Sequence, residues 1–157
     1  MSGKQEDAVT VPTETEWGNY QADLDQAHAH KVFAGRTNAE MLPYFRRNVL
    51  GSTDELRRMP EVPFRYYVLG FRDFVMAEDF EHLDASDAAS CFLGLVLEKL
   101  ETQPGYILPI MPQLFPTIQH VAMNQALFGA KESIYGSFRE KLTRIEALYE
   151  TLGRRST

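Results

Sequence analysis

The chain has 157 residues, 44% of them hydrophobic and 24% charged, with a formal net charge of −6. This length is typical of one domain that buries its own core without structural metals, and the acidic balance argues against a nucleic-acid partner, which favours a basic surface. The single cysteine, Cys91, excludes an internal disulfide. No apolar run approaches the roughly 18 residues of a membrane span, and the polar N-terminus lacks the apolar segment of a signal peptide. We therefore expect a cytoplasmic protein without membrane contacts.

The spacing of apolar residues predicts an all-α protein, a compact bundle or orthogonal array of five to seven helices. Residues 1–15 are polar and predict a flexible N-terminal tail, residues 16–153 form a single helical domain, and residues 154–157 form a C-terminal tail. The first helix is predicted from Trp17 to Ala34. No alternating pattern that would indicate a strand is visible.

Two capping-box patterns predict helix starts in the next segment, Thr37 to Glu40 and Ser52 to Glu55. The first opens a helix over residues 38–50 that either bends or properly begins at Pro43, because an interior proline removes a backbone hydrogen bond. Gly51 is predicted to end this helix. The second box opens a helix that is short, since two prolines follow closely.

Longer helices are predicted on both sides of an acidic loop at residues 78–84. Pro63 suits the first turn of the helix before this loop, and the helix after it ends before Pro104. Three prolines between Ile107 and Pro116 predict an extended or turn-like segment, followed by a helix from about Pro116 to Phe128. The last helix ends at Gly153 and has one apolar face, formed by Ile134, Phe138, Leu142, Ile145, Leu148 and Leu152.

The function that we predict from the sequence is a non-enzymatic, acidic protein-binding module, and a toxin-neutralising immunity protein is one concrete form of it. The chain has no nucleophile-elbow, phosphate-loop or dinucleotide motif, and we expect no cofactor. An acidic surface favours a basic partner surface, and tyrosine and arginine are frequent at binding hot spots. The predicted contact residues are Tyr66, Arg72, Glu78, Asp79, Glu81 and Asp84.

Two alternatives stay open at this stage. A helical enzyme or a ligand- or metal-binding protein would use aspartates and histidines one helical turn apart, together with a further histidine; the residues of this site would be Asp25, His28, Asp79, His82 and His120. A homo-oligomeric scaffold would instead pair through the last helix, whose far face is predicted to carry Tyr135 and Tyr149. The sequence does not determine the oligomeric state.

Overall fold

The computed structural model describes residues 10–77 and 85–156, with side chains as far as Arg154, and within these ranges all regular structure is helical. The described ranges contain nine α-helices and three short 3-10 turns; two of these turns, at Thr15–Trp17 and Tyr20–Ala22, precede the first α-helix, and the third is at Leu108–Ile110. The helices are α1 (Leu24–Phe33), α2 (Asn38–Arg47), α3 (Val49–Arg58), α4 (Glu61–Ala77), α5 (Ala85–Thr102), α6 (Pro104–Ile107), α7 (Met111–Met123), α8 (Glu132–Tyr135) and α9 (Phe138–Ser156). The predicted all-α class is therefore confirmed, whereas five to seven helices was too few.

Part of the difference arises at Asn48, which separates α2 from α3. The predicted capping box at Thr37 is confirmed, and α2 continues through Pro43 to Arg47. Asn48 then leaves the helical conformation, and its side chain accepts the Gly51 N–H at 3.3 Å. The predicted helix start at Ser52 was wrong, because Asn48 caps α3 instead and the Ser52 hydroxyl donates to the Val49 carbonyl at 3.1 Å.

The proline-rich segment between α5 and α7 is helical, contrary to the prediction of an extended entry. Each of the following elements has a proline at its first or second position: α6 has Pro104, the third 3-10 turn has Pro109, and α7 has Pro112. A proline costs little there, because its missing N–H would have no partner inside the helix. The prolines therefore divide the segment into short helices and do not prevent helix formation.

Both the first and the last predicted helices begin later than expected. Asp23 caps α1 by accepting the Asp25 and Gln26 N–H groups at 2.8 and 3.1 Å, so Trp17 lies in a separate turn. Gly136, with φ at 77°, separates α8 from α9. Ile134 consequently lies on α8 and is 70% exposed, although the sequence placed it on the buried face. α9 continues beyond the predicted stop at Gly153 to Ser156.

The core forms around α4 and α5, which are flanked by α2, α3, α7 and α9. Aromatic residues of α4 pack against those of neighbouring helices. The centroid of the Phe45 ring lies 5.4 Å from the centroid of the Phe71 ring and 6.3 Å from that of Phe74. Within the described part, no helix is long and apolar enough to cross a membrane. The division into two tails and one domain stays a prediction.

Candidate functional site

The two predicted contact residues that the structure describes, Tyr66 and Arg72, are both held by bonds inside the protein. Tyr66 is buried on α4, where its hydroxyl accepts the backbone N–H of Asn38 at 3.1 Å. The Arg72 guanidinium donates to the Asp73 carboxylate at 2.8 Å and to the Gln113 carbonyl at 3.1 Å. The other predicted contacts lie outside the described residues, namely Glu78, Asp79, Glu81 and Asp84.

Of the five residues of the alternative metal site, the structure describes Asp25, His28 and His120, and it does not gather these three into a metal-binding cluster. Asp25 accepts a hydrogen bond from Arg58 at 2.9 Å, and the His28 ring lies 2.7 Å from the Glu55 carboxylate. His120 lies on α7 beside Asn124, while Asp79 and His82 are outside the described ranges. Among the residues that can be placed, no three His, Cys, Asp or Glu side chains are arranged to hold a metal ion.

The surface predicted for a homo-oligomeric scaffold is divided between two elements. Tyr135 belongs to α8, not to the last helix, and its hydroxyl donates to the Asp87 carboxylate at 2.9 Å. Tyr149 is half-buried on α9, with its ring 5.8 Å from that of Phe115. The two tyrosines therefore do not form one helical face.

A cleft lies between the end of α7 and the start of α9, and we call it the α7–α9 cleft. Its volume is about 570 Å³. Small and apolar side chains form much of its lining, and charged side chains also contribute. The lining includes Ala122, Met123, Ala126, Lys131, Glu132 and Arg139.

Gln125 holds the backbone around this cleft in place. Its amide nitrogen donates to the carbonyls of Ala130 at 2.7 Å and Gly136 at 2.8 Å. Its amide oxygen accepts the Phe138 N–H at 2.9 Å, which is one of the unpaired groups at the start of α9. Sequence reasoning missed this residue, because nothing in the local pattern shows that a glutamine side chain bridges two helices.

The segment from the end of α7 to α8, which supplies most of the cleft lining, exposes three large apolar side chains within twelve residues. Met123 is 49% exposed and lines the cleft, while Leu127 and Ile134 are 64% and 70% exposed and adjoin its lining in the sequence. Phe128 and Ala130, from the same segment, are buried and anchor it to the core. Clustered exposed apolar side chains are typical of interaction surfaces.

The charged groups of the α7–α9 cleft are two cations and one carboxylate. Lys131 and Arg139 have no carboxylate partner in the part of the chain that the structure describes, and Glu132 is the one acidic residue of the lining. No histidine, cysteine or serine lies in this lining. The lining therefore contains no Ser–His or Cys–His pair of the kind that activates a nucleophile.

A separate polar network joins α1, α2 and α3 through the buried carboxylate of Glu55. Glu55 is 7% exposed and accepts the Tyr44 hydroxyl proton at 2.7 Å, while its other oxygen lies 2.7 Å from His28 Nε2. Burial, together with the hydrogen bond to Glu55, raises the pKa of Tyr44 to about 12, so the phenol stays protonated at neutral pH. The network fixes three helices, and it could not be found from the sequence because its members lie on different elements.

Two further titratable groups are buried to different degrees, and neither opens onto the α7–α9 cleft. Lys99 is 1% exposed, and its ammonium donates to the Arg57 carbonyl at 2.8 Å and to the Gln103 side chain at 2.6 Å. Burial lowers the pKa of Lys99 to about 8. Burial also raises the pKa of the half-buried Cys91 thiol, which disfavours a nucleophilic thiolate.

Searches found no protein family, no curated protein sequence and no solved structure that matches this chain.

Proposed function

We propose that this chain is a non-enzymatic protein-binding module and that the α7–α9 cleft is its contact surface. The observation that carries the proposal is the exposure of Met123, which lines this cleft, together with that of Leu127 and Ile134, which neighbour its lining residues in the sequence. Burying such side chains against a partner releases roughly 25 cal/mol per Å² of apolar surface, which favours association. A toxin-neutralising immunity protein is one form of the proposal, and its support is the small, acidic chain without catalytic motifs.

The charges of the cleft define the partner segment further. Because Lys131 and Arg139 lack carboxylate partners in the described structure, a segment with an apolar face and one or two acidic side chains would complement them. The net charge of −6 acts at longer range and favours an overall basic partner. The two requirements are compatible, since long-range steering depends on the summed charge and local fit depends on the cleft.

The test is affinity capture from a lysate of the source cell with the wild type and two double variants. Leu127→Glu with Ile134→Glu places charges on the proposed surface. Leu24→Glu with Leu50→Glu is the matched control, because these leucines are 88% and 63% exposed on other helices. Both variants change the net charge equally, and we expect each to alter the free energy of unfolding by no more than about 0.5 kcal/mol, as exposed substitutions usually do.

The proposal requires one stoichiometric protein partner that the wild type and the control capture and the cleft variant loses. Equal capture by both variants would show that the contact surface lies elsewhere. If the wild type captures no stoichiometric partner, the protein-binding function itself is contradicted. Urea denaturation of each variant shows whether a loss of capture reflects misfolding.

A further inference from the structure

A second cleft, of about 360 Å³, lies between α1 and α2, and we call it the cationic cleft. Three positively charged side chains line it: Lys31 from α1, Arg36 from the turn after α1, and Arg47 from the last turn of α2. One carboxylate, that of Glu40, shares the lining, and one of its oxygens already accepts the Thr37 N–H at 2.8 Å. The lining is therefore positive in a chain whose net charge is −6.

The cations of this cleft are not neutralised by any carboxylate that the structure describes. Within residues 10–77 and 85–154, no carboxylate lies at ion-pair distance from Lys31, Arg36 or Arg47. Several other arginines are paired; Arg65, for example, lies 2.6 Å from the Glu61 carboxylate. Lys31 and Arg47 each stand in the last turn of a helix, where the helix dipole favours a cation. The dipoles do not explain why both ends open on the same concave surface.

The backbone that carries these cations is rigidly held. Gly35, with φ at 79°, allows the turn that ends α1. The hydroxyl of the buried Tyr67 lies 2.7 Å from the Phe33 carbonyl and 2.6 Å from the Arg36 carbonyl, and it donates its proton to one of them at a time. The Arg36 guanidinium donates to the Val32 carbonyl at 3.0 Å and retains further N–H groups. The turn that carries Arg36 and the Arg36 guanidinium are therefore positioned before any ligand arrives.

The arginine and lysine groups favour an oxyanion, because guanidinium groups bind phosphate and carboxylate oxygens with matched geometry. The Tyr44 ring, with the Arg47 guanidinium 5.5 Å from its centroid, and the neighbouring Met41 and Pro43 add an apolar wall. A volume of about 360 Å³ is at the small end of ligand sites. We infer that the cationic cleft binds a small organic anion through a phosphate or carboxylate group.

The experiment titrates the full chain with inorganic pyrophosphate and, separately, with malonate, while sodium chloride keeps the ionic strength constant. Amide chemical shifts of residues around the cleft report binding. We expect a saturable response to at least one probe, and the preferred probe distinguishes phosphate from carboxylate recognition. In the double variant Lys31→Gln with Arg47→Gln, we expect the apparent affinity for the preferred probe to fall at least about tenfold, because charge-assisted hydrogen bonds to the anion are lost.

The matched control removes two exposed cations that line neither cleft, as Arg58→Gln with Arg144→Gln. Their side chains are 44% and 60% exposed on α3 and α9, and their removal changes the net charge equally. We expect this control to bind the probe as the wild type does. Equal weakening in both double variants would mean that only the net charge matters, and the absence of a saturable wild-type response to either probe would overturn the inference directly.

Discussion

The closest crossing of α2 and α4 depends on a glycine, and replacing it should destabilise the protein. A Cβ atom added at Gly70 would lie 2.5 Å from Asn38 Cγ and 2.9 Å from Asn38 Cβ. Real contacts of this kind are longer, so either the side chain or the helix must move. Asn38 cannot turn away freely, because its amide nitrogen donates to the Tyr66 carbonyl at 2.9 Å.

The expected change in the free energy of unfolding for Gly70→Ala combines three contributions. Forcing an extra methyl group into a packed crossing costs about 1–3 kcal/mol, and losing the hydrogen bond of Asn38 adds about 1 kcal/mol. Alanine returns about 0.5–1 kcal/mol, because it is the better helix former. We therefore expect the free energy of unfolding to fall by roughly 1–3 kcal/mol, from these same terms.

The matched control is Gly94→Ala on α5. An added Cβ there meets no atom within 4 Å, and the position is inside a long helix. We expect this variant to gain about 0.5–1 kcal/mol from helix propensity alone. Urea denaturation followed by circular dichroism measures both variants. If Gly70→Ala is as stable as Gly94→Ala, the close crossing is not a constraint and the reasoning is refuted. If it is destabilised, adding Asn38→Ala removes the contact with Asn38 Cγ and should recover part of the loss, whereas the contact with Asn38 Cβ and the lost hydrogen bond remain.

Two further predictions concern Lys99 and Gln125. The pKa of Lys99 is lowered from 10.5 to about 8 in the folded protein. Between these values the unfolded chain binds more protons than the folded protein, so the stability of the wild type relative to Lys99→Met should rise with pH, by up to roughly 3 kcal/mol. Below this window the difference should stay constant, because Lys99 is protonated in both states. Denaturation at a series of pH values checks this, and a flat difference up to pH 10.5 would show that Lys99 is not held in a desolvated site. Gln125→Ala removes three hydrogen bonds and should cost roughly 2 kcal/mol, with faster amide hydrogen exchange at Phe138; unchanged exchange would contradict the bridging role.

Local signals in the sequence predicted the helical class and several helix ends correctly. The box at Thr37 is confirmed because both of its hydrogen bonds join residues three positions apart, which a pattern can show. The identical pattern at Ser52 failed, because Asn48 offers an earlier cap and a helix already in progress leaves no free N–H groups for Ser52 to accept. Two local signals competed there, and the sequence pattern alone does not rank them.

The candidate surfaces could not be predicted because each combines elements that are distant in the sequence or depends on a helix end. Ile134 was assigned to the buried face of the last helix, since its spacing from Phe138 fits a helical period. The break at Gly136 rotates Ile134 away from the core and turns a predicted core residue into an exposed one. An error of one helix boundary therefore conceals the feature on which the proposed binding surface depends.

The distribution of charge explains why composition alone misleads about ligands. A net charge of −6 argues against anionic partners when the charge is treated as uniform. Over distances beyond the Debye length of about 10 Å, however, salt screens the exposed acidic groups from a given surface, so the nearest side chains dominate at contact. Lys31, Arg36 and Arg47 surround one concave surface with a single carboxylate among them. An acidic protein can therefore bind an anion at a local site, provided that its cations are gathered by the fold and left without internal partners.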